Sequence, residues 1–166
     1  LENPAFVGLE VLQESDNHTN PSGLVSNLFT TGNTVGANTI RVTGVSFNEN
    51  TPALFTIVTD AGPATQLVAI SGDEQSGAAG STLGEPVVVE VRDALNNPKA
   101  FQPVNFRVTR GGGSPEEIDV QTGIDGRASV DWVLGNQAEL NEMRIQSYNT
   151  SGFPLNGAPI FYTATS

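Results

Sequence analysis

Apolar residues along this chain recur at every second position over short stretches, a period that marks half-buried β-strands and not helices. In Pro86-Val87-Val88-Val89-Glu90-Val91-Arg92-Asp93 the alternation points Val87, Val89 and Val91 to a core and Val88, Glu90 and Arg92 to water. The same parity sends Val104, Phe106 and Val108 inward against Asn105 and Arg107. It also sends Ala128, Val130, Trp132 and Leu134 inward against Arg127, Ser129 and Asp131. Phe161 is placed in the same core. Between these runs stand Asn96-Asn97-Pro98, Gly111-Gly112-Gly113, Asp125-Gly126 and Gly135-Asn136, residues that supply a positive or a fixed φ. Strand and turn signals at intervals of ~8–15 residues predict an all-β, antiparallel sandwich.

A second pattern lies above the strands. Pro21-Ser22-Gly23 and the residues after it align with Ile124-Asp125-Gly126 onward at a constant offset. Gly23 falls on Gly126, Ser26 on Ser129, Phe29 on Trp132, Gly32 on Gly135, Asn33 on Asn136, Asn38 on Asn141, Ile40 on Met143 and Arg41 on Arg144. Ala53-Leu54-Phe55-Thr56 aligns with Pro159-Ile160-Phe161-Tyr162 at a slightly larger offset, as a small loop insertion produces. This order of turns and strands reads as an internal repeat. It divides the chain into a complete unit, residues 63–166, and a partial unit, residues 1–62, that matches only the second half of the first.

The complete unit resembles the bacterial immunoglobulin-like repeats of the invasin and intimin type. The residues that carry the resemblance begin with Gly62-Pro63-Ala64-Thr65-Gln66-Leu67, Gly72-Asp73-Glu74-Gln75-Ser76-Gly77 and the Pro86–Ala94 run. They continue through Asn97-Pro98, Val104–Val108, Gly111–Ser114, Thr122–Ala128 and Trp132-Val133-Leu134-Gly135. The single lysine, Lys99, stands where many relatives carry a small or aliphatic turn residue. The resemblance implies an immunoglobulin-like β-sandwich, in tandem units of which the first is incomplete. It also implies a rigid repeating spacer in an extracellular, cell-surface or virion protein.

Composition and charge narrow the function. The 166 residues carry a formal charge of −11, with only seven basic side chains, so a phosphate backbone or an anionic lipid surface is repelled. No cysteine is present, which removes disulfides, thiolate metal sites and a cysteine nucleophile. No apolar run approaches the ~18–20 residues that span a bilayer. The chain opens Leu1-Glu2-Asn3-Pro4 without an initiator Met or a signal-peptide pattern and reads as a piece of something longer.

Candidate chemistry is sparse. One histidine, His18, sits in the polar bend Asp16–Pro21 and reads as a solvated loop residue, since a single imidazole makes neither a metal site nor a triad. Glu14, Asp16, Asn17 and Asn20 offer oxygens to calcium but lack the spacing of a calcium loop. Asp73-Glu74 and Glu116-Glu117 with Asp119 lie beside predicted strand ends, where acids sometimes share calcium between domains and more often only solubilise. Trp132 is on the inward parity, a core residue in preference to a sugar platform. Tyr148 falls in a loop and is the candidate for a glycan contact. Asn17-His18-Thr19 and Asn149-Thr150-Ser151 fit the glycosylation acceptor pattern. With no phosphate loop, nucleophile elbow or second histidine, the chain reads as non-enzymatic, with no cofactor and no metal assigned.

A half sandwich leaves the faces of Phe6, Leu9, Val11, Phe29, Ile40, Val42, Phe55 and Ile57 in need of cover. Upstream chain, strands donated by a neighbouring copy, and the second unit are the three routes to it. The expected partners are therefore proteins, neighbouring immunoglobulin-like units or copies of the chain itself. The reading is a structural or assembly module, a spacer or filament subunit. The junction Thr59-Asp60-Ala61-Gly62-Pro63 is stiffened by its proline. The alternative is an adhesin or carbohydrate-binding accessory module.

Overall fold

A computed structural model describes residues 21–24, 29–42, 53–137 and 140–166, and over these the chain is built from strands and turns without a helix. It divides into two compact units, Leu1–Asp60 and Ala61–Ser166. Phe6, Leu9 and Val11, and the bend around His18 with its calcium and glycosylation candidates, lie outside the described residues.

In the first unit, β1 (Gly36–Val42) pairs antiparallel with β2 (Ala53–Thr59), setting Ile40 opposite Phe55 and Asn38 opposite Ile57. Ile40 and Ile57 are half-buried, while Phe55, Leu54 and Val58 are exposed.

The second unit opens with β3 (Gln66–Ser71) and continues through β4 (Gln75–Ser76), β5 (Val87–Arg92), β6 (Pro103–Arg110), β7 (Gly113–Ser114) and β8 (Glu117–Gln121). It ends with β9 (Arg127–Val130), β10 (Val133–Leu134), β11 (Leu140–Gln146) and β12 (Ile160–Thr165). One sheet has the order β3-β5-β9 and the other β4-β12-β11-β6-β8, with β7 and β10 forming a small separate pair. The opening segment joins both sheets, because β3 runs antiparallel to β5 whereas β4 runs parallel to β12. Gly72 makes that crossing. Its φ is +99°, and a Cβ there would lie 2.5 Å from the Pro86 carbonyl oxygen. Three strands facing a sheet built on β6, β11 and β12, with successive strands changing sheets, form an immunoglobulin-like Greek-key sandwich.

β1 and β2, which the sequence repeat aligns with β11 and β12, pair antiparallel as β11 and β12 do. Gly23 and Gly126, aligned in the same repeat, have φ of +75° and +74°.

Alternate side chains from the two sheets fill the space between them. Val87, Val89 and Val91 from β5, Val104 and Phe106 from β6, and Met143 and Ile145 from β11 are fully buried around Trp132, Leu134 and Tyr162. Burying each such side chain contributes about 1.5–3 kcal/mol, which is what holds the sheets face to face. Val108 and Val130 pack at the margin of this cluster and are partly buried.

Phe161 departs from its expected place in the core and is 50% exposed. The register of β12 puts Tyr162 opposite buried Met143, so Tyr162 and Ala164 turn inward and Phe161 faces outward opposite Arg144. The strand prefers the tyrosine inside because its hydroxyl finds a partner there, donating to the Val88 carbonyl at 3.1 Å across the sandwich. Glu90, expected in water, is also buried. Its carboxylate is covered by Arg92 Nε at 2.7 Å and Arg127 Nε at 3.3 Å. Trp132 is fully buried as its parity requires, yet it lies in the break between β9 and β10, and its Nε1 has no partner among the described residues.

Candidate functional site

The register fixes which loops share an end of the second unit. Gln66 at the start of β3 lies opposite Arg92 at the end of β5, Glu90 opposite Arg127, and Pro103 opposite Gln121. The β5–β6, β8–β9 and β11–β12 loops therefore gather around residues 61–65, at the leading end of the sandwich.

Asp93 is the centre of that end. The turn that follows β5 closes on it, with Asp93 N donating to the Asn97 carbonyl at 2.9 Å and Asn96 taking a φ of +64°. Asp93 is 2% exposed, and its carboxylate accepts four hydrogen bonds. Oδ1 takes Leu95 N at 2.8 Å and Asn97 N at 2.9 Å, and Oδ2 takes Gly62 N at 2.9 Å and Asn97 Nδ2 at 3.0 Å. Burial by itself raises the Asp93 carboxyl. The bonds from the Asn97 side chain and from the Asn97, Gly62 and Leu95 amides outweigh it and hold the group below its ordinary value.

Lys99 adds a second tie to the same segment. Its Nζ donates to the Ala61 carbonyl at 3.1 Å, while its backbone N–H is bonded to the Val91 carbonyl and its own carbonyl accepts Thr122 Oγ1 at 2.6 Å. Thr65 N then pairs with the Arg92 carbonyl at 2.9 Å, and Asn156 N with the Thr65 carbonyl at 2.9 Å. The chain is thus held by side chains at Ala61 and Gly62 before backbone pairing begins. In the sequence Lys99 stands out only as a departure from the resembled pattern, Asn97 as a turn residue and Asp93 as the end of a strand run.

The leading-end loops also carry large apolar side chains on their outside. Leu95, Phe101, Ile124 and Phe153 are all exposed, Phe101 at 70% with a φ of +58° and Ile124 at 85%.

The remaining sequence candidates take structural or separate positions. Asp73 Oδ1 accepts Glu74 N at 2.9 Å and Thr163 N at 2.7 Å, tying the crossing segment to β12. Glu117 and Asp119 both accept from Asn105 Nδ2, at 3.1 and 2.9 Å. Among the described residues no three acidic or histidine side chains converge as a metal site. Tyr148 lies in the loop after β11 and is 43% exposed. Asn149 turns its side-chain oxygen inward, accepting Ser151 N and Phe153 N, each at 3.0 Å. No helix among the described residues is long and apolar enough to cross a membrane.

No known protein family matches the chain, and no curated protein matches it in sequence. Among solved structures it is similar to the D0-D1 domain of intimin, with 16% identity and a TM-score of 0.40 over 97% of this chain and 74% of that one. It is also similar to the D00-D0 domain of intimin, with 16% identity and a TM-score of 0.41 over 78% of this chain and 65% of that one.

Proposed function

We propose that this chain is a non-enzymatic structural module of an extracellular, cell-surface or virion protein, in which the immunoglobulin-like sandwich serves as a stiff spacer or filament subunit. The observation that carries the reading is the way the second unit secures its own leading segment. A buried carboxylate at Gly62 and an ammonium at Ala61 fix the direction in which the chain enters the sandwich, and transmitting a direction is what a spacer does. Trp132, Tyr162, Phe106 and the three valines of β5 fill the interior of the second unit as a close-packed core, which supports a structural role. The ordered motifs of residues 63–166, which resemble the invasin and intimin repeats, support the same reading. Exposed apolar loops at the leading end suit contact with a protein partner.

Within this reading residues 1–62 are the second half of a preceding unit, completed by upstream chain, by strands from a neighbouring copy in a filament, or by the second unit. Light scattering tests the assembly: a well-behaved 17.4 kDa monomer eliminates strand donation and leaves the spacer. Hydrogen exchange tests the clamp. The Gly62 and Thr65 amides exchange only with global opening of the second unit if the leading segment is fixed, and exchange near the unfolded rate would remove the basis for stiffness there.

A further inference from the structure

On the outer face of the five-stranded sheet the register brings together a set of side chains that the spacer reading does not use. Phe161, Arg144, Arg107 and Glu117 form one row across β12, β11, β6 and β8, and Gln146, Asn105 and Asp119 form the next. Between the second row and the loop after β11 lies a hollow of about 550 Å³, lined by Asn105, Glu117, Asp119, Arg144, Gln146 and Tyr148 among others, a size in the range of small-ligand sites. Arg144 Nε is buried in this neighbourhood and has no hydrogen-bond partner among the described residues, which is uncommon for a buried donor. One aromatic ring, Tyr148 at 43% exposure, lines the hollow, and Phe161 at 50% stands opposite Arg144 in the first row. With ~3.3 Å per residue along an extended chain, Tyr148 is about 13 Å beyond the Arg144–Phe161 row.

The lining selects its ligand by elimination. Two carboxylates, on a chain of charge −11, disfavour an anion. A guanidinium in the same hollow disfavours a metal ion, and Asn105 Nδ2 already engages both Glu117 and Asp119. Amides, carboxylates and a guanidinium suit a neutral molecule whose groups both donate and accept, because hydroxyls serve the acceptors on β8 and the donors on β11 at once. The exposed ring of Tyr148 offers its face to the C–H bonds of a sugar ring. We propose that this hollow binds a neutral hexose oligosaccharide, with Asp119, Gln146 and Arg144 bonded to hydroxyls and Tyr148 stacked on one ring. The site shares no residue with the Asp93–Lys99 clamp, so its failure leaves the spacer reading intact.

The test uses the whole chain on an array of neutral gluco-, galacto- and manno-oligosaccharides with trigalacturonate as the charged control, followed by calorimetry on the strongest neutral hit. The expected result is saturable binding of a neutral oligosaccharide with a Kd of about 1 mM or tighter. Tyr148→Ala should weaken that binding by about tenfold, and Arg144→Gln should weaken it comparably. Ile124→Ala, at an exposed apolar residue on the leading-end loops outside the hollow's lining, should leave it unchanged. Absence of saturation by every neutral oligosaccharide up to about 10 mM overturns the proposal. So does equal affinity in the Tyr148→Ala chain, or preference for trigalacturonate.

Discussion

Replacing Asp93 by Asn keeps the shape of the side chain and reverses half of its chemistry. The carboxylate accepts four bonds from donors alone, so an amide can satisfy one pair while its NH2 group opposes the other. If the amide oxygen stays with Leu95 N and Asn97 N, the NH2 faces Gly62 N and Asn97 Nδ2, and the leading segment keeps only the Lys99 tie at Ala61. Bonds to a charged acceptor are worth about 1.5–3 kcal/mol each and an unsatisfied buried donor costs about 1–3 kcal/mol, so the net loss after loop relaxation should be about 2–4 kcal/mol. For a unit near 100 residues that lowers Tm by roughly 15 °C. Trp132 is the only tryptophan and is buried in the second unit, so its fluorescence during urea or thermal unfolding reports that unit alone. Acid gives an independent check of sign. The folded carboxyl lies below its ordinary value of 3.8, so its stabilisation is complete above that value and is lost as pH falls through the folded one. The parent chain should therefore lose stability more steeply below about pH 4 than Asp93→Asn. A variant within about 0.5 kcal/mol of the parent, with a parallel acid profile, would refute the claim that Asp93 holds the leading end.

Three other outcomes follow from the packing. Burial, with the Asp73 charge assisting, raises the Tyr162 phenol above 10.0 against the lowering effect of an Ile70 backbone bond. The unfolded tyrosine thus ionises first, and stability should fall as pH climbs through ~10, a slope that Tyr162→Phe flattens in a circular-dichroism titration. That variant should also be about 1 kcal/mol less stable at neutral pH, having lost the bond to the Val88 carbonyl. Gly72→Ala sets a Cβ against Pro86 and Val87 backbone atoms at a φ of +99°; a loss below about 1 kcal/mol in urea unfolding would contradict the crossing geometry. Phe106→Ala should cost about 3–5 kcal/mol, whereas Phe161→Ala, half outside, should cost under about 1 kcal/mol; comparable losses would return Phe161 to the core.

The alternation of β5 and β6 was readable because each strand has one wet face and one dry face, so hydrophobicity alone assigns the side. Where a large apolar residue sits beside an amphipathic one, that rule fails. Phe161 and Tyr162 are neighbours of opposite parity, and the choice between them depends on the Met143 register and on a hydroxyl reaching Val88 from across the sandwich. Glu90 misleads in the other direction, since its charge implies water while two arginines two and 37 residues away cover it. Trp132 kept its parity through a break in the strand because the core needed its volume there, although periodicity implied a continuous run.

The leading-end clamp was less legible for a different reason. Asp and Asn in a tight turn are what local backbone chemistry already demands, so a sequence offers no excess signal when one of them also does long-range work. Asp93 reaches Gly62 across 31 positions and Lys99 reaches Ala61 across 38, separations at which no motif spacing is set. Only its departure from the resembled pattern marks Lys99 in the sequence, and that departure says nothing of Ala61. The same logic applies to the outer-face hollow. Asn105, Asp119, Arg144 and Gln146 are each the polar half of an alternating strand, which is all that periodicity asks of them. Strand order alone makes them neighbours, so a surface of this kind becomes visible only when the sheet order β11-β6-β8 is known. In a sandwich the core is written in each strand separately, whereas the surfaces that meet other molecules are written in the pairing between strands.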